Sequence, residues 1–515
     1  MRRPTRSLAA LGSVVAVTTS LTGFLGGAGA AALAALPAVH PFAAKAPDSA
    51  FGAATGSGLG VACNRPEGGT PSTTVHCYTP NQMRAANGLA PLTANTTDGD
   101  GQTIVLVDAY GTPTGANDLA HFAQYFGGPT PDFETYFPIG APDYKSATGN
   151  GSGTSGPSAA EGWAGEATLD IEWAYAIAPK AHIVLLATPP AETQGVQGLP
   201  NLMKGIDAAV AKYPAGTVFS MSFGTDESAF GSTSAARAQF AKFDATFQRG
   251  QAKQDTFFAS SGDDGSVGYE RAHHQTATSP TPQVSYPNVS PFVTSVGGTQ
   301  LQYGWTWDPQ QDVPFNADGT RNPAYWNWES SKKNEQPVWN EGWASIGTGG
   351  GLSTVYPRPA YQNGVAGVVG NHRGVPDVAW NAAVNGGVLV YRSFFPTIDG
   401  PPSWAIYGGT SAASPQVAAL TAIGNAARRA KNEAPIGDLN TVLYAAAHKG
   451  TYDVVPRTYG STPSGHLENN RMWDTDATGT LVPGPVPGYP TTSGYDLTTG
   501  WGVPQGTNWL SALTG

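Results

Sequence analysis

Beyond residue 101 the chain alternates between two rhythms of apolar positions. Short, nearly continuous apolar runs at 104–110, 182–188, 218–223, 256–260, 292–296 and 387–391 are bounded by turn-forming residues, the pattern of strands buried on both faces. Between several of them apolar residues recur every three or four positions, at 116–126, 162–178, 202–213 and 234–252, which predicts helices. Strands alternating with helices predict an α/β fold, a largely parallel sheet flanked by helices on both faces, with long loops. In such sheets functional groups gather beyond the carboxyl ends of the strands.

The N-terminal region follows neither rhythm. Arg2, Arg3 and Arg6 precede an apolar stretch over 8–25 and then a run of small residues over 26–32. That order predicts a secretory signal peptide over 1–30, with the paired arginines hinting at twin-arginine export. Residues 31–76, rich in Ala, Gly, Pro and Ser, read as a flexible leader or short propeptide remnant, and the folded domain is expected over 77–515. The two cysteines, Cys63 and Cys77, are close together in an exported chain and favour one disulfide. No later segment has the length of apolar sequence needed to cross a bilayer, so the mature protein is expected to be secreted, extracellular and off the membrane. A stretch over 303–345 carries Trp305, Trp307, Trp326, Trp328, Trp339 and Trp343 among polar residues. It reads as a long excursion anchored by its own aromatics, or else as a sugar platform.

Charge narrows the partners. With 27 Lys plus Arg against 37 Asp plus Glu and a formal net charge of -10, the chain lacks the basic face that nucleic acid requires. Charged residues make up only 12% of the sequence, which suits an extracellular protein working where few carboxylates need stay ionised.

Three segments carry candidate chemistry. In Gly408-Gly409-Thr410-Ser411-Ala412-Ala413-Ser414-Pro415, a serine opens an apolar helical pattern. Its hydroxyl would sit where helix-end N–H groups favour developing negative charge; taken alone, such a serine also serves as a helix cap. In Trp163-Ala164-Gly165-Glu166-Ala167-Thr168-Leu169-Asp170-Ile171-Glu172-Trp173, Glu166 and Asp170 are one helical turn apart on one face. Like charges there disfavour joint ionisation, so the pair can share a proton. The third segment, Ala259-Ser260-Ser261-Gly262-Asp263-Asp264-Gly265, follows an apolar strand and could be an ordinary turn.

Together these segments resemble the sedolisins, the serine-carboxyl peptidases of the subtilisin-like superfamily. Gly-Thr-Ser-x-x-x-Pro is the superfamily's nucleophile motif, Glu-x-x-Leu-Asp is the sedolisin signature, and no His-Gly-x-His segment of the subtilisin type occurs. The resemblance implies a subtilisin-like fold and a secreted, acid-acting endopeptidase cleaving protein or peptide substrates as a monomer. In that reading Ser411 is the nucleophile, Glu166 its base, Asp170 the supporting acid and Asp263 the oxyanion donor. An ionised carboxylate only accepts hydrogen bonds, so Asp263 must be protonated to serve, and an acidic optimum follows.

Further matches extend over most of residues 78–504. They include Tyr78-Thr79-Pro80 with Gln82 and Arg84, Ser220 to Gly224 with Glu227, Gly349 to Ser353, and Arg373 to Val378. The resemblance implies Ser222 and Gly224 as the edge beside which a substrate backbone lies. It also implies one structural Ca2+ held by the side chains of Asp453 and Asp496 and the carbonyls of Val454, Thr492 and Gly494. The Asp453 half lacks the family's usual following Thr-x-Gly. Sedolisins also carry a large folded prodomain, which the leader over 31–76 is too short to form. The rival readings are a subtilisin with Asp108 as its triad acid, for which no matching histidine occurs, and a two-carboxylate glycosidase using the tryptophans.

Overall fold

Twelve strands organise the structure around the site. Two lie in the leader, β1 (His40–Pro41) and β2 (Ala44–Lys45), and the next are β3 (Thr103–Ala109), β4 (Asp132–Tyr136), β5 (His182–Thr188) and β6 (Val218–Met221). They are followed by β7 (Phe223–Asp226), β8 (Thr256–Ser260), β9 (Thr294–Thr299), β10 (Val378–Asn381), β11 (Gly387–Arg392) and β12 (Ser403–Gly408). The computed structural model describes residues 40–41, 43–45, 77–144, 157–189, 196, 198–268, 281–301, 336–342, 345–395, 402–456, 468–475 and 481–514.

Seven of these strands form one sheet in the order β10-β9-β8-β6-β3-β5-β4, and every neighbouring pair is parallel. Alternation along β3 explains why both faces are covered. Ile104 and Leu106 enter the core on one side, with Trp173 and Leu420, while Val105 and Val107 enter the core on the other, with Leu202 and Phe240. The first face is covered by α3 (Pro157–Ile177) and α6 (Thr410–Ala430), which also pack on each other, with α2 (Gly115–Tyr125) alongside. The second is covered by α4 (Leu199–Lys212) and α5 (Thr233–Ala252).

The domain opens on α1 (Pro80–Ala86), and its start is written locally. Thr79 accepts the backbone N–H of Gln82 while the Gln82 side chain accepts that of Thr79, a capping box, and Pro80 occupies the first turn, where its missing N–H costs nothing. Arg84 is buried and donates to the carbonyls of Ala90, Ala176 and Ile177, tying α1 to the end of α3. Cys77 is disulfide-bonded, and the only other cysteine, Cys63, lies outside the described residues. The other matched segments interlock as scaffold. Glu227 accepts from Ser353 and Thr354, and Arg373 pairs with Asp377 in full burial at 2.5 Å.

Three elements depart from expectation. The run at 218–223 is interrupted, with Ser222 separating β6 in the main sheet from β7, which pairs with β1 instead. The run at 387–391 is β11, but it pairs antiparallel with β12 in a separate sheet. Within the leader, expected to be flexible, β1 and β2 are both paired with the domain. Of the six tryptophans in the aromatic excursion, five lie outside the described residues. Trp339 is fully buried, donates to Glu341 at 2.8 Å and packs over Gly298, as a core anchor does. No helix among the described residues is long and apolar enough to cross a membrane.

Candidate functional site

The carboxylates of α3 owe their setting to a helix that is apolar on nearly every side. From Trp163 to Trp173 no residue but Trp163 has measurable exposure. A helix of that kind must be enclosed, so Glu166 and Asp170 are fully buried although both are ionisable. Gly165 permits a close approach, because a Cβ there would meet the hydroxyl of Tyr407 on β12 at 2.8 Å. That brings the Glu166 turn against the strand leading into Ser411.

Asp170 accepts a hydrogen bond from Ser222 Oγ at 3.0 Å. Burial holds its carboxyl well above the ordinary carboxylate range, and the neighbouring charges of Asp108 and Glu166 push it further. Asp108, near the end of β3, is also fully buried, and among the described residues neither of its oxygens has a hydrogen-bond partner. Burial raises its pKa as well. Three buried carboxyl groups therefore neighbour one another, so that full ionisation is strongly disfavoured and proton sharing is the low-energy state. Sequence reasoning considered Asp108 only as the partner of an absent histidine. Its position at the carboxyl end of an apolar strand was the available signal.

Ser411 is the second residue of α6, whose N-cap, Gly409, has φ 92, a left-handed conformation suited to glycine. The serine is fully buried and its Oγ makes no hydrogen bond among the described residues. Pro415 stands four residues on and has no N–H to donate to the Ser411 carbonyl, which loosens the helix at that turn. Asp263, in the loop after β8, is joined to the same turn. Its Oδ1 accepts from Thr410 N at 2.8 Å and from Thr410 Oγ1 at 2.9 Å, and Gly262 N donates to Thr410 Oγ1 at 3.0 Å. Burial holds the Asp263 carboxyl well above its usual range against these lowering contacts. With Oδ1 engaged as an acceptor, a proton on this group resides on Oδ2.

The leader crosses this site. Ala43 N donates to Glu166 Oε2 at 2.7 Å. On one side His40 and Pro41 pair antiparallel with Gly224 and Phe223, and on the other Ala44 and Lys45 pair antiparallel with Gly408 and Tyr407. Gly224 thus presents its backbone edge to an extended strand, whereas Ser222 uses its hydroxyl to hold Asp170.

The comparisons with known proteins accord with this geometry. No family model matches the sequence. Kumamolisin of Bacillus sp. (strain MN-32) is 29% identical over 369 residues, 69% of this chain and 54% of that protein. Sedolisin of Pseudomonas sp. (strain 101) is 30% identical over 263 residues, 50% of this chain and 35% of its own length. The chain is similar in sequence to serine-carboxyl peptidases of the sedolisin type. Tripeptidyl-peptidase 1 of Bos taurus, 25% identical over 399 residues, matches 76% of the chain and 56% of its own length. The chain therefore spans only about a third to a little over half of these relatives. A solved structure of Pseudomonas sedolisin, complexed with two molecules of pseudo-iodotyrostatin, covers 85% of this chain and 98% of that one with a TM-score of 0.59 and 23% identity. It shows the subtilisin-like fold.

The loops matched to the sedolisin calcium site also meet. Asp453 accepts from Gly494 N at 3.1 Å and from Ser493 Oγ at 3.3 Å. Among the described residues Asp496 takes three donors on Oδ1, from Thr498 N, Thr499 N and Thr499 Oγ1, and on Oδ2 only Thr492 N at 3.0 Å. Asp496 Oδ2 so keeps a lone pair, and a carboxylate oxygen is the kind of hard donor calcium takes.

Proposed function

We propose that this chain is an exported serine-carboxyl endopeptidase acting in acid on protein or peptide substrates. The observation that supports it best is the gathering of buried acids near the start of α6: Asp263 bonded to Thr410, and Glu166, on the helix α3 that packs against α6, near enough for its charge to act on Asp263. In this reading Ser411 Oγ attacks the substrate carbonyl and Glu166 takes its proton. Asp170 and Asp108 supply negative charge and a shared proton behind Glu166, which keeps its basicity suited to acid solution. Protonated Asp263 donates from Oδ2 to the oxyanion as it forms. Glu166 then returns the proton to the departing amine, and water releases the acyl group.

Calcium would be held by the side chains of Asp453 and Asp496 and the carbonyls of Val454, Thr492 and Gly494. When bound, it would cross-link two loops and take no part in peptide cleavage. Ser411→Ala is expected to abolish hydrolysis of a denatured protein substrate at about pH 4 while leaving the circular-dichroism spectrum and Tm unchanged. Retained turnover in that variant would rule out the nucleophile assignment.

A further inference from the structure

We propose that Thr410 is a positioning residue for catalysis, acting through Asp263: its hydroxyl fixes which oxygen of that carboxyl carries the proton offered to the oxyanion, and limits how far above acid pH the proton is kept. The inference rests on the peptidase reading above, which gave Thr410 no role of its own. The direction of each hydrogen bond around Thr410 follows from its partners. The Gly262 amide can only donate, so at 3.0 Å it takes one lone pair of Thr410 Oγ1. The single proton of that hydroxyl is left for Asp263 Oδ1 at 2.9 Å, and the Thr410 amide, also only a donor, meets the same Oδ1 at 2.8 Å. Oδ1 therefore faces two donors and serves as the carbonyl oxygen of the acid, which leaves Oδ2 as its hydroxyl. The amide alone would let the carboxyl pivot about one contact. The hydroxyl adds a second, and because Gly262 adjoins Asp263 in the chain, its bond to Oγ1 closes a ring around the carboxyl. Thr410 is fully buried, Asp263 nearly so, and Thr410 directly precedes Ser411, so one turn of backbone carries both the nucleophile and the clamp on the oxyanion acid.

The same hydroxyl bond has a second effect. Burial favours the neutral acid at Asp263 and prevails, while both Thr410 donors favour the ionised carboxylate. Among the described residues the other titratable groups that act on Asp263 are Asp264 in the same loop and Glu166 on α3, and the charge of each favours its proton. The Thr410 hydroxyl thus works in two directions: it secures the geometry of the donor and lowers the pH at which that donor ionises. Catalysis in this reading needs the protonated form, so kcat/KM falls as pH rises through the Asp263 value. Removing the hydroxyl should weaken catalysis in acid yet carry what remains to higher pH. A residue that served only packing would lower the rate and leave the basic limb where it was.

The test measures kcat/KM from about pH 3 to about pH 7 on an unstructured, internally quenched peptide, with Tm and circular dichroism alongside. It compares the full wild-type chain with Thr410→Val, Thr410→Ser, Asp263→Asn and the pair Thr410→Val with Asp263→Asn. Thr410→Val keeps the shape and loses the hydroxyl. Expected are a loss of about 10- to 100-fold on the acid plateau and a basic limb displaced upward by about one pH unit. Thr410→Ser keeps the hydroxyl and should restore both the rate and the limb. With Asp263→Asn present the acid proton is gone, so adding Thr410→Val should leave the limb where the single Asn variant has it. Three results overturn the inference and leave the peptidase reading standing: a slower Thr410→Val enzyme with its limb in place, a limb that moves equally with and without Asp263→Asn, or a Thr410→Ser enzyme as impaired as Thr410→Val. Should Thr410→Val fail to fold, Thr410→Ala is measured in its place against the same outcomes. If the folded wild-type chain cuts no peptide anywhere in that range, the peptidase reading falls and this inference with it.

Discussion

Under the proposed function, Asp263 is the side chain that would tie activity to acid. Its Oδ1 is engaged twice by Thr410, so only Oδ2 is left to carry the proton that an oxyanion needs. Burial favours that proton, and the donor form persists above the ordinary carboxylate range of about 3.9. An asparagine fits the same contacts, with its carbonyl oxygen accepting from Thr410 and its amide donating at every pH. Asp263→Asn is therefore expected to keep peptide hydrolysis in acid and to extend it toward neutral pH, read as a basic limb of the kcat/KM profile displaced upward. Asp263→Ala should instead lose about 10²- to 10³-fold at all pH values, the usual cost of removing one oxyanion donor. A profile for Asp263→Asn whose basic limb stays in place would assign the pH dependence to the Glu166, Asp170 and Asp108 cluster.

At the scale of elements, what could be read from the sequence depended on whether an element is defined by its own residues or by its neighbours. The apolar runs behind β3, β5 and β8 and the helical periods behind α2 to α5 were legible because burial writes itself into the pattern. β4 was not: Asp132 is exposed and the rest of that edge strand is only half buried, so no apolar run marks it. β11 was legible as a strand but not in its partner, since an apolar run records burial and not pairing. Two-residue strands such as β1 and β2 have no period, and only the edges they meet define them. The candidate site residues came from motif resemblance rather than from any period, and Asp108 was underread because its neighbour is another acid. The proposed calcium site is likewise a junction of elements, joining the turn at Asp453 to the loop over 492–496. Calcium at a hundredfold excess over its Kd should add about 2.7 kcal/mol of stability. The expected result is a Tm that rises with calcium, falls with chelator, and no longer responds in Asp453→Ala. An identical Tm with calcium and with chelator would remove the ion from the account.

The whole molecule carries an unusual number of carboxyl groups that burial holds protonated, and this sets its stability against pH. Burial raises Asp108, Asp170, Glu172 and Asp263 well above their ordinary values, and pushes Asp244 to about 6 and Asp255 to about 7. In the unfolded chain the same groups titrate at about 3.9 for Asp and about 4.3 for Glu. Between those values and the folded ones, the folded state binds more protons than the unfolded state, so stability falls as pH rises. The loss begins near pH 4 and continues through the folded values of Asp244 and Asp255 into the neutral range. Most proteins show the reverse over this interval, because their paired carboxylates titrate below the model value and acid removes their stability. The expected outcome is a Tm that is highest near pH 4 and declines toward pH 7, measured by calorimetry on the Ser411→Ala chain so that self-digestion does not intervene. Asp255→Asn should flatten the last part of that decline. Its carboxyl accepts the backbone N–H of Thr217 through Oδ1, a contact that an amide oxygen retains, while the charge that costs stability near neutrality is gone. A Tm that climbs from pH 4 to pH 7 would mean that these groups ionise inside the fold with partners that compensate them. The acid preference proposed for catalysis would then have to rest on the active-site carboxyls alone.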